Sequence, residues 1–329
     1  LSALVGIMVR VYLLDLGSTD PDPGMYTLAM HKLTTIDLGF QGFSQVIAAF
    51  VAPTGDGRFV LFESGPASSV GAVEKAVDEL GFAVGDLAAI FATHVHLDHS
   101  GGAGVLARRT GCEVYAHPAG VAHLIDPGAK LLPSAERLYG DMLEPLWGRT
   151  EGVPSRQLKT AGHGSTVVLG DLEIVAWHTP GHAVHHIAWQ IGGDVVTGDV
   201  GGIRFPGSDH VVPPLPPPDI DVEAWRESLD LVRGLSPARL LLTHYGDFDD
   251  PVRHLDELED RILRWTSIAE AVVAAGGSRD ELAASLVDLE EQEIATEELP
   301  EDVVERYRRL CPMAENSTGL YRYVVKRQS

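Results

Sequence analysis

His94-Val95-His96-Leu97-Asp98-His99 gathers three imidazoles and a carboxylate at the end of an apolar run, Leu87–Ala92, that closes on Thr93. Ser100-Gly101-Gly102 and a helix-forming segment, Ala103–Arg109, follow directly. A buried strand that hands such a set to a loop is hard to explain by packing, because polar groups are costly to bury without partners. Imidazole and carboxylate are the ligand types that suit zinc and other first-row metals. Side chains two apart in an extended segment point the same way, so His94 and His96 can grip one ion. The turn into the helix redirects Asp98 and His99, which can then reach a second ion beside the first.

The chain around this stretch is 329 residues long, with room for one large domain or two ordinary ones and for a substantial core. Hydrophobic residues at 45% and charged residues at 22% are the proportions of a soluble globular protein. A formal net charge of −22 argues against a broad basic face for nucleic acid or anionic membrane. The expected partner is a small-molecule substrate, with no nucleic acid and no membrane, and a homodimer is compatible with the composition. Cys112 and Cys311 form no metal-type pair, exclude a disulfide framework and are expected to stay reduced in a cytoplasm. At the N-terminus, Leu1–Leu16 is apolar but broken by Arg10 and Asp15, too short to span a bilayer and without a basic leader. Residues 1–30 are therefore expected to be an extension outside the fold, since Met25 and Met30 both precede the first convincing strand.

Strand-like runs follow at Leu33–Leu38, Gln45–Ala52, Arg58–Glu63, Leu87–Thr93 and Cys112–Ala116. Ser68 or Ser69 can cap a helix carrying Val73, Val77 and Leu80 at helical spacing, and Gly81 stops it. A helix-prone insert runs to Trp147. The texture then returns to strand at Thr166–Leu169, Leu172–Trp177, His186–Ile191, Asp194–Thr197 and Arg239–Thr243. Between the last two, Gly207–Ile220 carries a proline cluster that must be an extended loop, and Asp221 caps a helix Val222–Arg233. After Pro251 the chain is acidic and helix-periodic, broken at Gly276-Gly277 and Glu298–Glu301. Two strand-rich halves with helices, then a helical tail, predict an αββα sandwich over residues 31–250 with a helical C-terminal region over 251–329. The tail reads as a packing or dimerisation element, because charge runs on helices are usually solvated faces.

Three later positions share the context of the first motif, a strand end opening into a loop, where binding groups tend to lie. They are His182 in Thr179-Pro180-Gly181-His182, Asp199 in Thr197-Gly198-Asp199, and His244 after Thr243. Each alone reads as a cap or a satisfied polar residue; their recurrence at four strand ends points to one common site.

The set THVHLDH (Thr93–His99), TPGH (Thr179–His182), TGD (Thr197–Asp199) and TH (Thr243-His244), in that order, resembles the metallo-β-lactamase-fold hydrolase superfamily, and most closely its glyoxalase II-like branch. The resemblance covers roughly Leu33 to Gly246. It implies a four-layer α/β sandwich with two divalent metal ions, zinc expected first and iron or manganese also accepted by these ligands. By that resemblance His94, His96 and His182 hold one ion, Asp98, His99 and His244 hold the other, and Asp199 bridges them. It further implies a metal-activated water that attacks a small thioester or ester, with Asp98 orienting the nucleophile and passing a proton to the leaving group.

Departures from the family pattern narrow this. Zinc-dependent lactam-hydrolysing members commonly carry Cys where Asp199 stands, and flavin-linked diiron members have a carboxylate at the place of His96. Acyl-homoserine lactonases often place Tyr where this chain has Gly202, and the Asp-Thr-Gly strand end of the family reads Glu63-Ser64-Gly65, leaving Glu63 either behind a metal ligand or on the surface. A mononuclear-iron persulfide dioxygenase shares much of the motif and stands as an alternative, as do a lactonase or phosphodiesterase of the same fold. No Ser or Cys nucleophile sits in an elbow motif. Candidate substrate residues are Tyr139, in the insert with Lys130 and Arg137, and His210, if the proline loop folds over the metals as a lid. Lys130 and Arg137 either line a pocket with Tyr139 or form a solvated helix face; His178, His185 and His186 read as packed or partly exposed strand residues or as donors behind the ligands, and His117 and His123 belong to the helix-rich insert.

Overall fold

Strands buried on both faces organise the fold. A computed structural model describes residues 33–328; the expectations for residues 1–30 lie outside the described residues. In the first sheet β1 (Thr34–Asp37), β2 (Ala48–Pro53), β3 (Phe59–Phe62), β4 (Leu87–Phe91), β5 (Glu113–Ala116) and β6 (Leu158–Thr160) lie side by side in chain order. Pairing is antiparallel from β1 to β3 and parallel from β3 to β6. The central strands read as unbroken apolar runs because alternate residues enter two different cores. Phe50, Phe62 and Phe91 pack against Ile174 and Trp189 of the second sheet. Val51, Leu61 and Ile90 belong instead with Val73 and Val77 of α1 (Val70–Glu79) and with Leu106, which lies beyond the short α2 (Leu97–Ser100) on α3 (Ala103–Thr110). Neither serine before α1 caps it by a side-chain bond: a turn, Ala67–Ser69, leads in, and Ser68 Oγ donates to the Leu146 carbonyl.

The helix-prone insert forms α4 (Val121–Ile125), α5 (Leu131–Tyr139) and α6 (Leu143–Trp147). The second sheet runs β12-β11-β10-β9-β8-β7, built from β7 (Thr166–Leu169), β8 (Leu172–His178), β9 (Ile187–Ile191), β10 (Asp194–Val196), β11 (Arg239–Leu242) and β12 (Gly246–Phe248). Only β10 and β11 pair in parallel, and the connection between them carries α7 (Val222–Gly234), capped by Asp221 Oδ1 accepting from Ala224 N at 3.1 Å. The outer face of this sheet is covered by α7 and by α8 (Pro251–Ala274), α9 (Arg279–Glu297), α10 (Glu301–Leu310) and α11 (Met313–Gln328). Val195, Leu240 and Leu242 share one apolar cluster with Trp225, Trp265, Leu286 and Leu320. Helix, sheet, sheet, helix is the layered order the sequence predicts, and the acidic tail supplies part of its fourth layer. Burying these apolar faces contributes roughly 25 cal/mol per Å2 removed from water.

Candidate metal centre

Four strand ends meet at one edge of the sandwich. Past β4 the chain carries Thr93, His94 and His96 and then winds into α2, which holds Asp98 and His99. The turns after β8, β10 and β11 bring His182, Asp199 and His244 to the same place. Gly181 makes the second approach possible: at φ +136°, a Cβ here would lie 2.3 Å from the Trp225 Cα.

The side chains fall into two groups sharing one carboxylate. In the first, His96 Nδ1 lies 2.9 Å from His94 Nε2 and 3.1 Å from His182 Nε2. Asp199 Oδ2 is 3.3 Å from His182 Nε2 and 3.9 Å from His94 Nε2. In the second, Asp98 Oδ2 lies 3.3 Å from His244 Nε2 and 3.5 Å from His99 Nε2. Asp199 Oδ1 is 3.1 Å from His99 Nε2 and 3.5 Å from His244 Nε2. The two oxygens of Asp199 therefore face different groups. All seven residues singled out as ligands are brought together.

The outward ring nitrogens are fixed by oxygens, which aims the inward lone pairs. His99 Nδ1 pairs with Glu63 Oε1 at 3.0 Å, His182 Nδ1 with the Pro214 carbonyl at 3.0 Å and His244 Nδ1 with the Val46 carbonyl at 3.0 Å. His94 Nδ1 meets Thr93 Oγ1 at 3.1 Å. His96 is turned the other way and presents Nδ1 inward.

Glu63, which sequence reasoning left between a supporting and a surface role, is fully buried at φ +63°. Besides His99, its Oε1 accepts from Thr93 Oγ1 at 2.5 Å and Thr243 Oγ1 at 3.1 Å, while Oε2 accepts from Thr93 N at 3.2 Å. One carboxylate thus ties three strand ends to a ligand imidazole.

Burial holds His94, His96 and His182 below the ordinary histidine range, His96 at about 3, and neighbouring imidazoles add to this. Neutral imidazole is the form that ligates metal. Burial also opposes charge on His99 and His244, but Asp98 and Asp199 outweigh it and raise both. Conversely, burial would raise Asp98 and Asp199, yet the facing imidazoles hold both carboxylates below their usual range. His99 Nε2 and Asp199 Oδ1, though 3.1 Å apart, are buried without an aligned hydrogen bond to each other or to any other described residue, and His96 Nδ1 faces two ring nitrogens at once. Orphaned donors and acceptors of this kind are rare in native interiors, and a metal cation held by these groups would satisfy them. The residues fit metal.

A cavity of about 890 Å3 opens over the cluster and is lined by Asp98, Asp199 and His244 at its floor. Tyr139 lines it from α5, packed edge-on to Trp147 with ring centroids 5.3 Å apart. Of the two readings open for Lys130 and Arg137, the structure places both on the lining of this cavity, where they remain exposed. The proline segment forms another wall. It is pinned by the His182–Pro214 contact and by Asn316 Oδ1 of α11, which accepts from Leu215 N at 2.8 Å. Gly319, also on α11, packs so closely that a Cβ there would lie 2.0 Å from the Leu215 carbonyl oxygen. Glu315 and Asn316 both line the cavity; they follow no motif, and their distance in sequence from the metal cluster hid them. Of the remaining histidines, His186 is tied to Thr179 Oγ1 at 2.9 Å, His178 stacks on His117 at 4.1 Å, and His185 lines the cavity.

His210 corrects an expectation: it does not face the cavity. Its side chain, 1% exposed, is turned into the helical layer, with Nδ1 2.8 Å from Glu297 Oε1 and Nε2 2.8 Å from Glu290 Oε1. The Tyr307 hydroxyl donates to its carbonyl. The reason is electrostatic, since the acidic face of α9 offers the ring two carboxylates, Glu290 and Glu297, one to each nitrogen. His210, Glu290 and Glu293 form a third group of metal-type donors. Arg261, however, places a guanidinium 2.9 Å from both His210 Nε2 and Glu293 Oε2, so a fixed cation already sits there. His210→Ala is expected to destabilise the protein by about 3 kcal/mol, the usual cost of stripping a partner from a buried charged group. Guanidinium denaturation compared with the parent chain measures it, and an unchanged midpoint would deny the network this role.

Fold and cluster together define an α/β sandwich with residues fit to hold metal, and the chain belongs to the metallo-beta-lactamase superfamily, whose family model matches residues 41–244. That span carries all seven clustered residues, and the superfamily consists mostly of metallo-hydrolases. Among particular relatives, an archaeal metallo-beta-lactamase fold-containing protein from Sulfurisphaera tokodaii is 28% identical over 216 residues, 65% of this chain and 78% of the relative. The crystal structure of an archaeal metallo-beta-lactamase superfamily protein from Sulfolobus tokodaii aligns with a TM-score of 0.59 at 27% identity, covering 69% of this chain and 85% of the other. A metallo-beta-lactamase family protein of Thermus thermophilus aligns with a TM-score of 0.66 at 19% identity, over 91% of this chain and 94% of that one. A hydroxyacylglutathione hydrolase of Bdellovibrio bacteriovorus is 29% identical over 163 residues, 47% of this chain, and the match spans about half (48%) of the relative's length. No helix among the described residues is long and apolar enough to cross a membrane.

Proposed function

We propose that the protein is a hydrolase of small thioesters or esters, glyoxalase II-like in its chemistry, working with two divalent cations, zinc first among them. The observation that carries this reading is the Asp199 carboxylate, whose two oxygens face separate imidazole groups at 3.3 and 3.1 Å. The likeness to a hydroxyacylglutathione hydrolase supports the thioester class. When bound, divalent ions at such a site make water acidic enough to attack near neutral pH and polarise the carbonyl under attack.

The chain's own residues supply the rest. Asp98, ionised and partly open to the cavity, can take the proton released by the attacking water and return it to the leaving group. Glu63 keeps His99 in the tautomer that aims Nε2 inward. Tyr139 offers a hydroxyl on the wall where a substrate lies. Cys311 also reaches the cavity, but burial pushes its thiol well above the usual range, so it is no thiolate nucleophile.

The test pairs elemental analysis of protein purified without added metal with turnover of a thioester panel. About two divalent ions per chain and thioester cleavage are expected; one iron with oxygen uptake on a persulfide would replace this reading by an oxidative one. Asp98→Asn should lower kcat on the order of 100-fold or more while KM moves little, as loss of a general acid–base does. Equal loss in both parameters would remove that role from Asp98.

A further inference from the structure

The cavity is larger and more apolar than a short acyl group requires. At about 890 Å3 it lies near the upper end of the roughly 300–1,000 Å3 of drug-sized ligand pockets. Its sides are apolar: Phe40 and Ile47 from the first sheet's loops, Leu131 and Trp147 from the insert, and Pro216 and Pro217 from the proline segment. Two buried hydrogen-bond donors on its lining have no partner among the described residues, Trp147 Nε1 and Asn316 Nδ2. The orientation of Asn316 is set, because its Oδ1 is taken by Leu215 N, which leaves the amide NH2 for something else. Unpaired buried donors cost free energy unless a ligand satisfies them.

The mouth of the cavity has its own signature. Lys130 and Arg137 line it, are exposed, and make no ion pair with any described residue. Most other cations of this acidic chain are engaged, as with Arg204, Arg233, Arg239 and Arg253, each of which meets two or more carboxylates. Besides Asp98 and Asp199 at the floor, two further carboxylates face the cavity, Asp219 from the proline segment and Glu315 from α11, neither in the insert that carries the cations. Burial and the nearby Asp98 push the Glu315 carboxyl up, towards its neutral, donating form.

Building on the hydrolase reading above, we propose that the physiological substrate is a bulky amphipathic acyl ester or thioester. Its apolar body lies between the α5–α6 insert and the proline segment, its polar oxygens meet Trp147 and Asn316, and an anionic group is held at the mouth by Lys130 and Arg137. Phosphate and carboxylate both answer to this chemistry.

The test uses hydrolytically inert probes, so that its failure is separable from failure of the hydrolase reading. Octyl phosphate, octanoate, ethyl phosphate and octanol are titrated into the full chain by calorimetry, with the intrinsic fluorescence of Trp147 compared against a Trp147→Phe variant. Octyl phosphate or octanoate should bind at least 100-fold more tightly than ethyl phosphate, and whichever is tighter identifies the anion. In a Lys130→Ala/Arg137→Ala double variant the octyl anions should weaken at least tenfold while octanol is unaffected. Both positions are exposed, so the variant is expected to fold, and its thermal melt checks this. Equal binding of octyl and ethyl phosphate would overturn the apolar part, and octyl anions indifferent to the double variant would overturn the anionic part.

Discussion

Asp199→Ala is expected to empty both halves of the centre at once, with metal content falling from about two ions per chain to well below one and turnover dropping on the order of 1,000-fold or more. Asp199 is the one residue whose oxygens face both groups, Oδ2 toward His94 and His182 and Oδ1 toward His99 and His244. Replacing any single imidazole leaves one group whole, so His96→Ala should lose less metal than Asp199→Ala. The fold should persist, because the interior beneath is held by the aromatic packing of Phe62, Phe91 and Trp189. Elemental analysis beside far-ultraviolet circular dichroism reads both quantities together. Retention of two tightly held ions in Asp199→Ala would show that the groups are independent and would remove the bridging carboxylate from the account.

Glu63→Gln should weaken metal affinity about 10- to 100-fold, the range typical when the group behind a ligand is altered. An amide has one acceptor oxygen where the carboxylate has two. If that oxygen stays on His99 and the two threonine hydroxyls, the amide NH2 is driven against the Thr93 backbone N–H, which also needs an acceptor. If the amide turns round, it meets His99 Nδ1 donor to donor, and the ring loses the contact that aims Nε2. Competition with a chromophoric zinc chelator measures the change. Affinity equal to that of the parent chain would mean that His99 is oriented by packing alone.

The cluster was legible because ligand chemistry leaves a local signature: strand, polar residue, loop, repeated at Thr93–His99, Thr179–His182, Thr197–Asp199 and Thr243-His244. The central strands were legible because double-sided burial forces apolar runs, and the observed Leu87–Phe91 begins at the residue where the sequence reading starts it. Where local signal is thin the reading failed. The short edge strands Leu158–Thr160 and Gly246–Phe248 carry too few apolar residues to announce themselves and owe their form to a neighbouring strand. His210 was misplaced for a related reason, since its loop was visible in the sequence but the acidic helix waiting for it lies some eighty residues on. Glu315 and Asn316 reach the cavity only through tertiary packing, which no periodicity reports.

The clasp between Asn316 and Leu215 bears on the order in which the molecule is assembled. Every residue of the metal cluster has been synthesised by His244, yet the wall behind His182 is locked only when the final helix docks with Gly319 against Leu215. A nascent chain therefore contains all seven clustered residues before it contains the clasp that fixes the cavity wall beside them. Polypeptides stopped short of residue 313 lack both Asn316 and Gly319, and with them the support of that wall.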